Sequence, residues 1–329
     1  SCSNYVGKLG DDAKKRAENA EPLKAAAKTA AVAANRSADA EVQRAIKSVN
    51  VIDESNLNDI MLTVGDPDEA VAYFQKASTE QPDRIDLKRG LGKSLVRANR
   101  PDEAVLVWSA ITASPEVTND DRVELADALI RTNEWKRAEE ELNRVPPTHE
   151  TFERYRLEAM VADSKKDWKK ADSFYEIAAG MTTKPAGVLN NWGFSKLSRA
   201  DYAGAERLFV QALTFDSSMF TAKNNLVMAR GAQRKYDMPV VTMTQTEKAE
   251  LLYTLALTAI KKGDVAVGKA LLQDAISTHP QHFEAAVRSL AALEVIRAIH
   301  PFGEDSAGKL LLCDTLALRF RTLNRPNER

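Results

Sequence analysis

Two ten-residue segments, Asp68–Ala77 (DEAVAYFQKA) and Asp102–Ile111 (DEAVLVWSAI), begin with the same four residues and lie 34 positions apart. In both segments a small residue is followed four positions later by a large one, and the same pair recurs downstream in register. The five pairs are Ala70 with Phe74, Ala104 with Trp108, Ala138 with Leu142, Ala171 with Tyr175, and Ala205 with Phe209. Small and large residues four positions apart lie on one face of a helix, so this period predicts a chain built from helical repeats.

A second helix is predicted upstream of each small residue. Gly92, Ala126 and Gly193 occupy one equivalent position there. A small residue at this point allows two helices to approach closely, as a stacked helical hairpin requires. Proline then ends each repeat, since it cannot continue a helix. These prolines are Pro82, Pro115, Pro146 and Pro185.

The register breaks once, after a helix predicted over Phe220–Gln233. Pro239 stands where the next small residue belongs, and Val240–Thr244 is β-branched and extended in character. A new helix is predicted from Thr244, which forms a capping box with Glu247. A complete repeat follows as far as Pro280. We therefore expect an insertion or kink near residues 235–246.

Terminal helices are predicted over His282–Ala298 and Lys309–Leu323, covering the last apolar face of the array. Residues 10–40 differ from the rest, because they are rich in Ala, Lys and Glu and have almost no large apolar side chains. Such a segment cannot bury enough apolar surface to fold and predicts a flexible tether. The predicted organisation is an anchor and tether over 1–40, a repeat array over 41–238, and an interrupted repeat, a further repeat and capping helices over 239–329.

The spacing and the residues resemble the tetratricopeptide-repeat (TPR) family over roughly residues 50–285. The resemblance implies an all-α fold, a right-handed solenoid of about six helical hairpins with C-terminal capping helices. It also implies a scaffold that binds proteins or peptides and is not an enzyme.

Composition and motifs favour no catalytic or cofactor chemistry. The formal net charge is -1, with 46 basic and 47 acidic residues, which does not favour nucleic-acid binding. Gly90–Ser94 (GLGKS) resembles the end of a phosphate-binding loop, but it falls within a predicted helix. His279 and His282 flank Pro280 and have no third metal ligand at suitable spacing. We expect no catalytic residue, no cofactor and no metal.

Cys2 lies almost at the start of the sequence, after Ser1 and before Ser3. A mature bacterial lipoprotein begins at an acylated cysteine that follows a small residue, and the polar tether fits such an anchor. The sequence therefore predicts lipidation of Cys2, attachment to the membrane through it, and a periplasmic location at the outer membrane. The alternative is an incidental cysteine in an unlipidated, cytoplasmic chain.

The TPR resemblance also implies a concave groove lined by the first helix of each hairpin. Four positions of the repeat face the groove in that family. Carried onto this sequence, the peptide-binding positions are Arg89, Lys93, Arg156, Met160, Asn190, Phe194, Asn224, Met228, Tyr253 and Leu257.

Two asparagine pairs recur in the first helices. An asparagine amide both donates and accepts hydrogen bonds, so Asn190 and Asn224 are candidates for clamping the backbone of an extended peptide. Asn191 and Asn225 are assigned to hydrogen bonds inside the fold. The alternative is that one asparagine of each pair serves hydrogen bonding between helices inside the fold.

Val188–Leu213, followed by Lys223–Leu226 (KNNL), resembles the TadD family of lipid-anchored TPR proteins of the Tad/Flp pilus machinery. This resemblance implies a periplasmic lipoprotein that acts in pilus assembly as a pilotin-like partner of the outer-membrane secretin. Two alternatives remain open. One is an envelope adaptor for peptidoglycan or outer-membrane assembly enzymes. The other is a cytoplasmic peptide-binding co-chaperone, in which Arg89, Lys93 and Arg156 would bind a terminal carboxylate.

Overall fold

The structure is a computed structural model that describes residues 51–299 of the chain. Every regular element in that range is an α-helix. The predicted tether over 1–40, the lipidation site Cys2 and the predicted helix Lys309–Leu323 lie outside the described residues and remain predictions.

The chain divides into two compact units between Tyr73 and Phe74. Among the described residues, the N-terminal unit contains helix α1 (Val51–Thr63) and the first half of α2 (Pro67–Glu80). The Tyr73 hydroxyl donates a hydrogen bond of 2.9 Å to Asn58 Oδ1 within this unit.

Four consecutive helical hairpins form the first part of the C-terminal unit. In each, a first helix is followed by a tight turn and a second helix that packs against it. The hairpins are α3 (Ile85–Arg97) with α4 (Pro101–Thr112), α5 (Asn119–Arg131) with α6 (Trp135–Asn143), α7 (Phe152–Ser164) with α8 (Trp168–Gly180), and α9 (Ala186–Ser198) with α10 (Tyr202–Phe215). The predicted hairpin array is confirmed, and the second helices α4, α6 and α8 end before the prolines expected to close them, Pro115, Pro146 and Pro185.

The turn that follows each first helix, including α11 (Phe220–Ala232) and α12 (Gln245–Lys261), has a residue in the left-handed backbone region. The backbone N–H that follows this residue bonds back to a carbonyl in the last turn of the first helix, as in Asp167 N to Ala162 O at 2.9 Å. This pattern ends a helix and reverses the chain. The turn residues are Asn99, Asn133, Lys166, Ala200, Arg234 and Gly263. The 34-residue period of the sequence thus recurs in the backbone of the turns.

Small residues set the distance between the two helices of a hairpin. A Cβ atom on Gly92 would lie 2.5 Å from the ring of Trp108, and one on Gly193 would lie 2.7 Å from the ring of Phe209. Both rings are completely buried. The predicted close approach at Gly92 and Gly193 is confirmed, because neither position has room for a side chain.

The predicted break in the array is also confirmed. Helix α11 (Phe220–Ala232) is followed by a non-helical segment, and α12 (Gln245–Lys261) begins at the capping box of Thr244 and Glu247. The two bonds of that box measure 3.1 Å and 2.8 Å. Helix α11 therefore has no second helix of its own.

The last hairpin pairs α12 with α13 (Val265–Thr278), and α14 (Glu284–Ile299) packs against it. Of the two predicted capping helices, α14 corresponds to the first, and the second lies outside the described residues. A cavity of about 470 Å³ lies between α10 and the non-helical segment that follows α11, in the place where α11 has no second helix. Its lining includes Val210, Leu213, Met238 and Val241.

We expect Gly92→Ala to destabilise the protein by about 1–3 kcal/mol, because the new methyl group would overlap the indole ring of Trp108. The matched control is Gly187→Ala on α9, where a Cβ would meet no atom within 4 Å. The control should instead stabilise the helix by up to about 1 kcal/mol, since alanine favours helices over glycine. Urea unfolding measures both, and equal stability of the two variants would contradict the packing described here.

Candidate protein-binding surface

The first helices α3, α5, α7, α9 and α11 follow one another along one side of the C-terminal unit. We call the side chains that bridge or border successive members of this row the first-helix surface. Six predicted groove residues on it are at least partly exposed. They are Arg89, Lys93, Arg156, Met160, Phe194 and Met228.

The N-terminal part of the first-helix surface is charged. Lys93 Nζ lies 3.8 Å from Glu124 Oε1 on the next first helix, and 49% of the Lys93 side chain remains exposed. Arg156 Nη2 contacts Asp127 Oδ1 at 2.9 Å, and Arg131 contacts the other oxygen at 2.8 Å. The Lys93–Glu124 pair joins α3 to α5, and the Arg156–Asp127 pair joins α7 to α5. These two ion pairs therefore connect successive first helices, whereas the Arg131–Asp127 pair lies within α5.

Arg89 is committed to the fold. Its guanidinium forms a bidentate pair with Asp121, at 2.7 Å and 2.8 Å, and also donates to the Glu116 carbonyl at 3.0 Å. These bonds tie α3 to the loop that enters α5. A bidentate arginine held in this way is a weak candidate for binding a peptide carboxylate.

Glu124 and Asp127, two acidic residues of α5, differ in protonation. Burial would raise the pKa of Asp127, but Arg156 and Arg131 outweigh it and hold the pKa below its ordinary value. Burial raises the pKa of Glu124 to about 7, against the opposing effect of Lys93. Near neutral pH, Glu124 is therefore partly protonated and neutralises the Lys93 ammonium incompletely.

The C-terminal part of the surface is bridged by amide and hydroxyl groups. Asn225 Nδ2 donates to Asn190 Oδ1 at 3.1 Å, linking α11 to α9. Thr254 Oγ1 donates to Asn224 Oδ1 at 2.7 Å, linking α12 to α11. Asn190 and Asn224 are only 8% and 1% exposed. These contacts favour the alternative that the asparagines join helices, because little of either amide is open to a ligand.

The partly exposed apolar residues of the surface are Met160, Phe194 and Met228. Phe194 and Met228 border the core cluster of α9, α10 and α11, whereas Met160 borders that of α7 and α8. The Met228 sulfur also receives the Asn224 amide at 3.5 Å. The surface thus has exposed apolar groups beside its polar bridges.

Tyr253 and Leu257 do not line an open groove, contrary to the sequence interpretation. Tyr253 is 3% exposed, its ring centroid lies 5.3 Å from that of Phe283, and its hydroxyl lies 3.2 Å from Ser289 Oγ. Leu257 is fully buried. Helix α14 and the segment that leads into it cover this face of the last hairpin.

Sequence reasoning missed Glu124 and Asp127, two acidic residues of α5 that pair with predicted groove residues. Asp127 occupies the same repeat position as Lys93, Met160 and Phe194, at intervals of 34 and 33 residues. The repeat register was therefore a sufficient signal for Asp127. Its pairing with Arg156 required the structure.

Within residues 51–299, no three His, Cys, Asp or Glu side chains are grouped so that they could hold a metal ion. In the same range, no helix has the length and apolar character needed to cross a membrane.

The sequence matches the tetratricopeptide-repeat family model over residues 61–117. No curated protein matches the sequence. The structure resembles a chain of the APC/C hetero-tetramer Cut9–Hcn1, with a TM-score of 0.54 and 14% identity over 75% of this chain and 50% of that chain. It also resembles the human IFIT1 dimer with PPP-AAAA, with a TM-score of 0.50 and 14% identity over 79% of this chain and 66% of that one.

The fold is a TPR α-solenoid. At these identities the likeness establishes the fold alone, and this chain spans only about half of the Cut9–Hcn1 chain that it matches. The TPR fold supports a protein–protein interaction scaffold, since stacked helical hairpins offer an extended binding surface.

We expect Glu124→Gln to change how stability depends on pH. In the wild type, the unfolded chain loses the Glu124 proton near its ordinary pKa of 4.5, whereas the folded chain keeps it until about 7. This group therefore lowers stability as pH rises through that window, by ~1.4 kcal/mol per pH unit. Asp127, Glu153, Arg156 and Lys93 influence Glu124 in the folded state.

Urea unfolding of the wild type and Glu124→Gln at about pH 4.5 and about pH 8 tests this expectation. The variant should gain on the order of 2 kcal/mol relative to the wild type between the two pH values. Titrating groups that do not interact with Glu124 cancel in that difference. A difference that does not change with pH would contradict the raised pKa.

Thr254→Val should destabilise the protein by about 1–3 kcal/mol, because it leaves the buried Asn224 oxygen without its donor. Thr258→Val is the matched control. The Thr258 hydroxyl donates only to the Thr254 carbonyl, within its own helix, at 2.9 Å. Chemical denaturation should show a smaller loss for the control, and equal losses would argue against a special contribution from the bond between α11 and α12.

Proposed function

We propose that this chain binds an extended segment of a partner protein on the first-helix surface. The observation that carries the proposal is the continuous row of first helices, whose bridging polar groups lie beside the partly exposed Met160, Phe194 and Met228. Exposed apolar side chains next to polar groups suit a peptide that inserts one anchor side chain and passes its backbone along the row. The exposed Lys93 ammonium suits an acidic residue of the same peptide.

We further propose that the chain is a lipid-anchored TPR protein of the TadD type, acting in Tad/Flp pilus assembly beside the outer-membrane secretin. The support is the resemblance of Val188–Leu213 and Lys223–Leu226 to that family. On this proposal the protein lies in the periplasm, and Cys2 holds it at the outer membrane. The secretin, or another component of the pilus machinery, supplies the bound segment.

Site-specific photocrosslinking tests the binding surface. A benzoylphenylalanine at Phe194 should crosslink to the secretin when the chain and the Tad components are produced together. The matched control is the same group at Gln211, an exposed position on the second helix of that hairpin. Crosslinking from Gln211 but not from Phe194 would reject the first-helix surface, even if the secretin is the partner.

The identity of the crosslinked protein tests the pilus proposal separately. A peptidoglycan hydrolase or an outer-membrane assembly protein at Phe194 would favour the envelope adaptor instead. A cytoplasmic chaperone there would favour the co-chaperone.

Intact-mass analysis of protein extracted from membranes tests the anchor. A diacyl or triacyl group on Cys2 is expected, together with loss of membrane association in Cys2→Ala. An unmodified, soluble chain would reject the lipoprotein and would leave the first-helix surface to be judged by crosslinking.

A further inference from the structure

A cluster of lysines lies in the turn between α7 and α8. Lys165, Lys166, Lys169 and Lys170 surround Asp167 and Trp168 there, and all four lysines are exposed. We call these four residues the lysine turn. The whole chain has a net charge of -1, so four lysines beside one aspartate form a local excess of positive charge.

The acidic and aromatic residues of the turn are already engaged in the fold. Asp167 caps α8 by accepting a hydrogen bond from Lys170 N at 3.3 Å. The guanidinium of Arg199, in the next hairpin, lies 5.3 Å from the ring centroid of Trp168. Asp167 and Trp168 therefore each have a contact within the fold that does not involve the side chains of the four lysines.

Two of the lysines have no partner in the part of the chain that the structure describes. Lys166 and Lys169 form no ion pair or side-chain hydrogen bond there, whereas Lys165 Nζ lies 2.6 Å from Glu139 on the preceding hairpin. Lys170 Nζ lies 5.8 Å from the ring centroid of Phe174. The turn thus shows carboxylate binding by Lys165 and offers two further free ammonium groups.

The backbone conformation of Lys166 is one that lysine adopts less readily than asparagine or glycine. Its φ of 60° lies in the left-handed region, where Asn99, Asn133 and Gly263 stand in the corresponding turns. Asparagine and glycine adopt this region more readily than lysine does. Arg234 also occupies it, but its guanidinium bonds to the Lys262 carbonyl at 3.0 Å and so contributes to folding. Ala200 occupies it as well, so the backbone does not require one residue type, and Lys166 makes no contact that requires a lysine at this position.

Among the turns at this end of the hairpins, the lysine turn has the most lysines, whereas the basic residues of the adjacent turns lie beside acidic ones. The adjacent turns carry Glu134, which pairs with Arg137 at 2.6 Å, and Asp201, which pairs with Lys196 at 3.0 Å. The turns at the opposite end of the hairpins carry several acidic residues, including Asp83, Glu116 and Glu150. A membrane or a nucleic acid would need a broader basic surface, whereas a short acidic peptide matches a single turn.

We propose that the lysine turn is a second binding site, which takes a short run of Asp or Glu residues from a partner polypeptide. It lies where α7 ends and α8 begins, whereas Met160, Phe194 and Met228 lie within the first helices. Carboxylates of the peptide pair with Lys166 and Lys169, in the manner that Glu139 already pairs with Lys165. The attraction is electrostatic, so it weakens as salt is added.

Fluorescence anisotropy of a fluorescein-labelled hexaglutamate peptide with the full chain tests the proposal. Lys166→Asn and Lys169→Gln should each weaken binding up to about fivefold, as expected for exposed charge pairs. Lys166→Asn has a particular advantage, because asparagine suits the left-handed backbone and should keep or raise stability in urea unfolding. Loss of binding in this variant therefore cannot be attributed to unfolding.

Lys248→Gln on α12 is the matched control, since it removes an exposed lysine from a different place. Weaker peptide binding by the two turn variants, with Lys248→Gln unchanged, supports the site. Equal binding by all variants overturns the proposal. So does a larger loss on phosphatidylglycerol vesicles or on a single-stranded oligonucleotide than on the peptide, because the preferred ligand would then be a membrane or a nucleic acid.

Discussion

The rest of the structure depends on one packing constraint, the close approach of the two helices in each hairpin. Gly92 under Trp108 and Gly193 under Phe209 show it most clearly, because the ring occupies the space where a Cβ atom would lie. A large side chain fits one helix only if its partner offers a gap at the same height. Repeating this fit every 34 residues produces hairpins of equal geometry, and such hairpins stack with their first helices in a row.

Stacking the first helices in a row creates the candidate binding surface. It also buries polar side chains between neighbouring helices. Polar groups at the contacts between neighbouring helices must be paired, because an unpaired buried polar group costs more than a hydrogen bond contributes. Asp127 with Arg156 and Asn224 with Thr254 meet that requirement. Asn225 donates to Asn190, but its own Oδ1 has no hydrogen-bond partner among the described residues. Family resemblance assigns some of these positions to ligand binding, whereas their contacts assign them to the fold. The exposed Lys93 and the partly exposed Phe194 are better placed to meet a partner.

The break after α11 affects the row of first helices and the row of second helices differently. Because α11 has no second helix, α12 packs directly beside it, and Lys223, which is buried, reaches Glu247 of the capping box at 3.2 Å. The left-handed turn residues then lie 29 positions apart, at Arg234 and Gly263, instead of 33 or 34. The first-helix row continues past the break, whereas the second-helix row is interrupted and leaves the cavity beside Val210.

The sequence by itself determined the helical repeats, the residues of close approach, the break near Pro239 and the capping box at Thr244, since each depends on local spacing and backbone preference. Only the tertiary structure decided which side chains of the first helices are open to a partner. It buried Asn224 and Tyr253, paired Asp127 with Arg156, and left Lys166 and Lys169 without partners in the described chain. These outcomes depend on which residues of neighbouring repeats meet, about 30 positions apart, and on the helix that covers the last hairpin. A periodic pattern gives the face of a residue, but exposure and pairing depend on what lies opposite it.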